Sequence, residues 1–134
     1  MKIYQHKVQY YETDSMGIVH HSNYIRWMEE ARVDFLHQVG CDYGKMEESG
    51  IFSPVTAVKY SYKVPTSFSD TISISVWVEE FKGVRLKLGY EIRREDAIVC
   101  EGQSEHCFMN RDGKIISLKR ERPEVYEVLM RYAK

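Results

Sequence analysis

The sequence predicts an α+β fold in which an antiparallel sheet wraps around one long helix. Two hydrophobic periods carry that expectation: a helical rhythm between Tyr24 and Val39, and alternation of apolar and polar residues after Gly50. A single helix cannot cover both faces of a sheet of four or five strands, so the sheet should close around it. The outer face is then left to solvent or to another subunit.

Each element has its own signal. Residues Lys7–Tyr11 read as an N-terminal strand. In the helix, apolar residues fall at Tyr24, Trp27, Met28, Ala31, Phe35, Leu36 and Val39; Ser22 or Asn23 can cap its start, and Gly40 is placed to end it. Arg26 with Glu30, and Glu29 with Arg32, are spaced to pair on its polar side. A shorter helical turn is expected at Asp42–Glu48. Val58, Tyr60, Tyr62 and Val64 then alternate with Lys59, Ser61 and Lys63, as do Ile72, Ile74, Val76 and Val78 with Ser73, Ser75 and Trp77. Val84, Leu86, Leu88, Tyr90 and Ile92 repeat the pattern against Arg85, Lys87, Gly89, Glu91 and Arg93, so three half-buried strands are expected. Turn signals stand at Lys82-Gly83, Arg94–Asp96 and Asp112-Gly113, the last after a fourth strand of about Ala97–Met109. Lys114–Leu118 reads as a short final strand, and Pro123 starts a helix with Val125, Val128, Leu129 and Tyr132 on one face.

Composition narrows the class. A chain of 134 residues suits one compact domain, residues 1–134. Nineteen basic against twenty acidic residues, a net charge of -1, argue against a nucleic-acid coat but leave room for a local basic patch. No run approaches ~18 apolar residues, so no membrane span is expected. The start, Met1 to Lys7, lacks a signal-peptide core, and a cytoplasmic protein is the expectation. Cys41, Cys100 and Cys107 are odd in number and have no paired spacing, which fits buried inert thiols better than a disulfide or a metal site, even with His106 between two of them.

The chemistry concentrates in the segment from Tyr10 to Tyr24, between a strand and the long helix. It brings Asp14, a bend at Gly17 and the pair His20-His21 up to a helix N-terminus. Such a terminus presents unpaired N–H groups and a partial positive charge, which stabilise an oxyanion or a polarised carbonyl. Asp14 would act on a carbonyl carbon held there. Spacing alone leaves the plainer reading open, in which Asp14 makes an Asx-turn and the histidines are loop residues.

The run Tyr10-x-x-Thr13-Asp14-x-x-Gly17-Ile18-Val19-x-His21-x-Asn23-Tyr24, with Glu29-x-Ala31-Arg32 inside the helix, resembles the hotdog-fold acyl-CoA thioesterases. More narrowly it resembles the 4-hydroxybenzoyl-CoA thioesterase family and its Tol–Pal-cluster branch. The resemblance implies a hotdog fold and hydrolysis of short- to medium-chain acyl-CoA or aroyl-CoA. It implies Asp14 as nucleophile or general base, and a main-chain N–H at His21 that polarises the thioester carbonyl, with Gly17 and Val19 at the oxyanion and substrate positions. Histidine at 21 favours the aliphatic branch over the aroyl branch, where that position is tyrosine. The resemblance also implies an active site between the subunits of a homodimer or homotetramer.

Thioester hydrolysis needs little more. The thiolate leaving group has a conjugate acid near pKa ~8.5, so neither a catalytic triad nor a metal is required. No cofactor is expected, coenzyme A entering only as part of the substrate. Lys82 and Arg85, and Lys119, Arg120 and Arg122, are candidates to hold its phosphates. Glu29 is a weaker site candidate that can instead pair with Arg32. Two alternatives stand beside this reading: a non-catalytic acyl-thioester-binding protein, and a hotdog dehydratase, although no Pro-Gly turn follows His20, His21 or His106.

Overall fold

The structure, a computed structural model, describes residues 2–133. Its strands are β1 (Tyr4–Lys7), β2 (Val55–Tyr62), β3 (Thr71–Phe81), β4 (Arg85–Arg94) and β5 (Ala97–Cys107). They form one antiparallel sheet in the order β1-β3-β4-β5-β2. Helix α1 (Ser22–Gln38) packs Trp27, Met28, Ala31, Phe35 and Leu36 into one core with Ile72, Ile74, Leu86, Leu88, Tyr90 and Ile92. Each of the larger apolar side chains contributes about 1.5–3 kcal/mol on burial. This is the sheet-around-helix arrangement that the periodicities predict.

Two glycines make room for large side chains against the sheet. A Cβ at Gly102 would lie 2.7 Å from the Met28 methyl, where α1 crosses the sheet, and one at Gly89 would lie 2.4 Å from the Trp77 indole on the outer face. Gly40, at φ 92, ends α1, and the Cys41 N–H returns to Leu36 O at 2.8 Å. Helices α2 (Tyr43–Glu48), α3 (Leu118–Glu121) and α4 (Pro123–Tyr132) complete the chain, with Pro123 in the first turn and Leu129 buried.

Several expectations are corrected. The first strand ends at Lys7, and Tyr10–Glu12 is a single 3-10 turn, because the Glu12 side chain folds back onto the Gln9 N–H at 2.8 Å. No final strand forms over Lys114–Leu118: Ile115 makes one bridge to Met109, and the Leu118 N–H bonds Gly83 O at 2.8 Å, leading the chain into α3. The fourth strand stops at Cys107. The α1 cap position is His21, without a side-chain cap, and Ser22 and Asn23 lie in the first turn. Glu30 accepts a hydrogen bond from the Tyr4 hydroxyl at 2.8 Å and faces His6, rather than pairing with Arg26. Glu29 does pair with Arg32. Strand β2 stays largely exposed, with Val58 39% and Tyr62 47% accessible, because it is an edge strand with β5 alone beside it in the sheet.

Buried polar groups beneath the helix are chained together. Arg32 donates to Ser53 O at 3.3 Å and lies 3.2 Å from His106 Nδ1; His106 Nε2 meets Ser104 Oγ at 2.7 Å, and Ser104 meets the Tyr90 hydroxyl at 2.7 Å. Burial, then the neighbouring Arg32 charge, pushes the His106 pKa down to about 3. The unfolded chain therefore takes up a proton on His106 below pH 6.5 that the folded chain refuses until about pH 3. This contribution is complete above pH 6.5 and is lost progressively as the pH falls towards 3. We expect urea titrations to show native stability falling between pH 7 and 4 by about 3 kcal/mol more than that of His106→Gln. Parallel pH profiles for the two proteins would refute it.

Candidate active site

The segment between β1 and α1 is held at both ends by its own main chain. The Asp14 N–H donates to Ile18 O at 2.8 Å, the Gly17 N–H to Asp14 O at 3.0 Å, and Gly17 takes φ 80 to close the bend. Asp14 Oδ1 accepts the Met16 N–H at 2.8 Å, an Asx-turn. Among the described residues Asp14 Oδ2 meets no donor. The turn and the open oxygen coexist in one side chain.

Asp14, Val19 and His21 line one cleft of ≈ 400 Å³, with Met16, Ile18, Tyr24, Tyr62 and Lys63 among its walls. Tyr24 is buried against Trp27, its hydroxyl shares a hydrogen bond with Thr66 Oγ1 at 2.9 Å, and its ring centre lies 5.2 Å from that of Tyr62. The Tyr62 hydroxyl donates to His21 O at 3.3 Å.

The N–H groups here are already divided. Val19 donates to Thr66 O at 2.8 Å and His20 to Glu12 O at 2.9 Å, while Asn23 donates to His20 O and Tyr24 to His21 O. Ser22 N–H reaches His20 Nδ1 at 3.3 Å. The His21 N–H meets no acceptor among the described residues and stands where the α1 dipole is positive. Gly17 and Val19 are thus not donors for an oxyanion: Gly17 shapes the bend and Val19 is a wall. The exposed His21 ring stacks on His20 with centres 4.3 Å apart.

Two further residues hold this loop: Glu12, which sequence reasoning missed, and Asn23, which it read as a helix cap and a motif position. Glu12 is 5% exposed; Oε1 accepts from the Gln9 N–H at 2.8 Å and lies 2.8 Å from His6 Nε2, and Oε2 accepts the Trp27 indole N–H at 2.7 Å. Burial alone would raise its pKa, but the bonds from Gln9, His6 and Trp27 together hold it below the ordinary carboxylate value. Buried Asn23 donates its amide to Glu12 O at 2.9 Å. The Gln9-x-x-Glu12 spacing of a capping box was the available signal.

The basic residues lie elsewhere. Lys82 and Arg85 line a second cleft of ≈ 440 Å³ with Thr56 and Lys87, and Lys82 pairs with Glu80 at 3.3 Å. Lys119 and Arg120 are exposed on α3, which the Leu118–Gly83 bond holds beside the β3–β4 turn. Arg122 is tied down to Ser49 O at 2.9 Å and Glu121 O at 2.8 Å. Thr56 and Tyr62 lie near opposite ends of β2, so the second cleft is about 20 Å from the Asp14 cleft in the same chain. The structure does not unite the two groups within one chain.

Comparison with known proteins adds family to geometry. The chain matches the thioesterase-like superfamily over residues 8–131. The crystal structure of a hypothetical protein from Aquifex aeolicus superimposes with a TM-score of 0.89 at 38% identity, covering 96% of this chain and 99% of that one. The DHNA-CoA thioesterase from Staphylococcus aureus gives 0.93 at 33% identity, over 96% of this chain and 88% of that one. The acyl-CoA thioesterase YbgC of Helicobacter pylori (strain 26695) is 30% identical over 86 residues, 64% of this chain and 62% of that protein. With its hotdog-like sheet and helix and a match spanning nearly its whole length, the chain belongs to the thioesterase-like superfamily.

Proposed function

We propose that this protein is an acyl-CoA thioesterase, hydrolysing short- to medium-chain acyl-CoA to free acid and coenzyme A. The observation that carries the reading is the His21 N–H at the start of α1, which meets no acceptor among the described residues, in the same cleft as an Asp14 oxygen that meets no donor among them. The thioester carbonyl oxygen accepts from the His21 N–H, and Asp14 works on the carbonyl carbon. Acting as base, Asp14 takes a proton from water while the hydroxyl adds to carbon; the oxyanion collapses and expels the thiolate, which is then protonated. Acting as nucleophile, it expels the thiolate first and water cleaves the mixed anhydride. Both routes consume one water and use the same two groups, and neither needs a metal or redox cofactor. Histidine at 21 supports the Tol–Pal-type branch, and the aromatic walls Tyr24 and Tyr62 favour aroyl-CoA as a second substrate class.

The working unit in this reading is a homodimer, which can pair further into a tetramer. Strand β2 ends the sheet, and pairing with a second copy would satisfy the main-chain groups along its outer edge and set a neighbouring strand beside exposed Val55, Val58 and Tyr62. Antiparallel pairing about the midpoint of β2 sets one chain's Thr56 end beside the other's Tyr62 end. Lys82 and Arg85 of one protomer, with Lys119 and Arg120 nearby, then face the Asp14 cleft of its partner and can take the coenzyme A phosphates.

A thiol-release panel of acetyl-, butyryl-, octanoyl- and benzoyl-CoA tests both claims. Turnover is expected on at least one aliphatic ester. The Lys82→Ala/Arg85→Ala variant should raise KM for the CoA ester about tenfold and leave the KM of the matching pantetheine thioester unchanged. Thermal stabilisation by CoA esters without thiol release would instead support the non-catalytic reading.

A further inference from the structure

We propose that Glu12 is a positioning residue of the thioesterase site: its carboxylate, held by β1 and α1 together, sets Asp14 against the His21 N–H. This rests on the reading above for the roles of those two groups. Glu12 begins the loop that Asp14 and His21 occupy, and both parts of the residue are anchored. Its side chain reaches His6 on β1 and Trp27 on α1, and its main-chain oxygen accepts from the His20 N–H and the Asn23 amide. The first anchor fixes the chain two residues before Asp14. The second fixes the residue immediately before His21. His20 is prevented from turning, and its neighbour's N–H is left for substrate.

Only a carboxylate satisfies the donors around it. Oε1 faces the Gln9 main-chain N–H at 2.8 Å and Oε2 faces the Trp27 indole N–H at 2.7 Å, and neither donor can become an acceptor. A glutamine in this place would put its NH₂ against one of them in either orientation. A simple filler of the core would not need this arrangement, since burying a carboxylate carries a desolvation cost that an apolar side chain avoids. His6 sits 2.8 Å from Glu12 Oε1 and 3.7 Å from Glu30 Oε2, with its ring centre 4.8 Å from that of Trp27, which keeps the Glu12 anchor in register with β1.

The test compares Glu12→Gln, Trp27→Phe and the double variant by steady-state kinetics on the best ester of the panel, with rates normalised to folded protein. Glu12→Gln should lower kcat at least about tenfold with KM within about twofold, since the loss falls on alignment rather than on binding. Trp27→Phe removes the donor opposite Oε2, so a glutamine can turn its NH₂ there and keep its oxygen for Gln9. The double variant should therefore recover kcat by about fivefold or more over Glu12→Gln, even though it melts at a lower temperature. A merely structural Glu12 would make the double variant worse in both respects. Glu12→Gln at native kcat, or a double variant no faster than Glu12→Gln, overturns the proposal. Asp14→Asn measured alongside separates the two claims: native turnover there sinks the role of Asp14, whatever the rescue shows.

Discussion

Asp14→Asn is expected to lower kcat by about 10²–10⁴-fold, the range a positioned base or nucleophile supplies, while leaving the fold in place. The structure explains why the substitution is clean. Asp14 Oδ1 accepts the Met16 N–H at 2.8 Å, and an asparagine oxygen can accept the same bond. The bend at Gly17 and the Gly17–Asp14 hydrogen bond are main-chain features that the change does not touch. What is lost is the second oxygen, the one that meets no donor among the described residues, which can no longer take a proton or attack carbon. Stability should stay within about 0.5 kcal/mol of native in urea titration. Native turnover with an intact fold would remove Asp14 from the chemistry and leave the His21 N–H without its counterpart.

The parts of this molecule that were legible in the sequence are those set by local periodicity. Helix α1 follows from the spacing of Trp27, Met28, Ala31 and Phe35, and β3 and β4 from alternation. Alternation says which residues share a face but not what covers that face. Strand β2 has the same pattern as β3, yet Val58 and Tyr62 stay exposed because β2 lies at the edge. Hydrogen-bond destinations were less legible still. The family resemblance puts Val19 at an oxyanion or substrate position, but its N–H is accepted by Thr66, which arrives from a distant loop. Glu30 sits four residues after Arg26, but the Tyr4 hydroxyl reaches it from β1. Glu12 reads as one charge among aromatics until Trp27 and His6 are seen to converge on it. In each case a partner from a distant segment claims the group.

His21 offers the sharpest separation of main chain from side chain. His21→Pro should lower kcat by about 10²–10³-fold, the usual effect of deleting one oxyanion donor. Proline is suited to the place, since His21 has φ -56, and the N–H it removes serves no bond within the described residues. The fold therefore loses little and the reaction loses its electrophilic contact. His21→Ala keeps the N–H and should remain within about tenfold of native, the difference being whatever the imidazole adds by orienting water. Circular-dichroism melts on both variants establish that the proline protein is folded before its rate is read. Equal losses in the two variants would move the function of position 21 to its side chain. A folded proline variant with native kcat would mean that the carbonyl is polarised by some other donor.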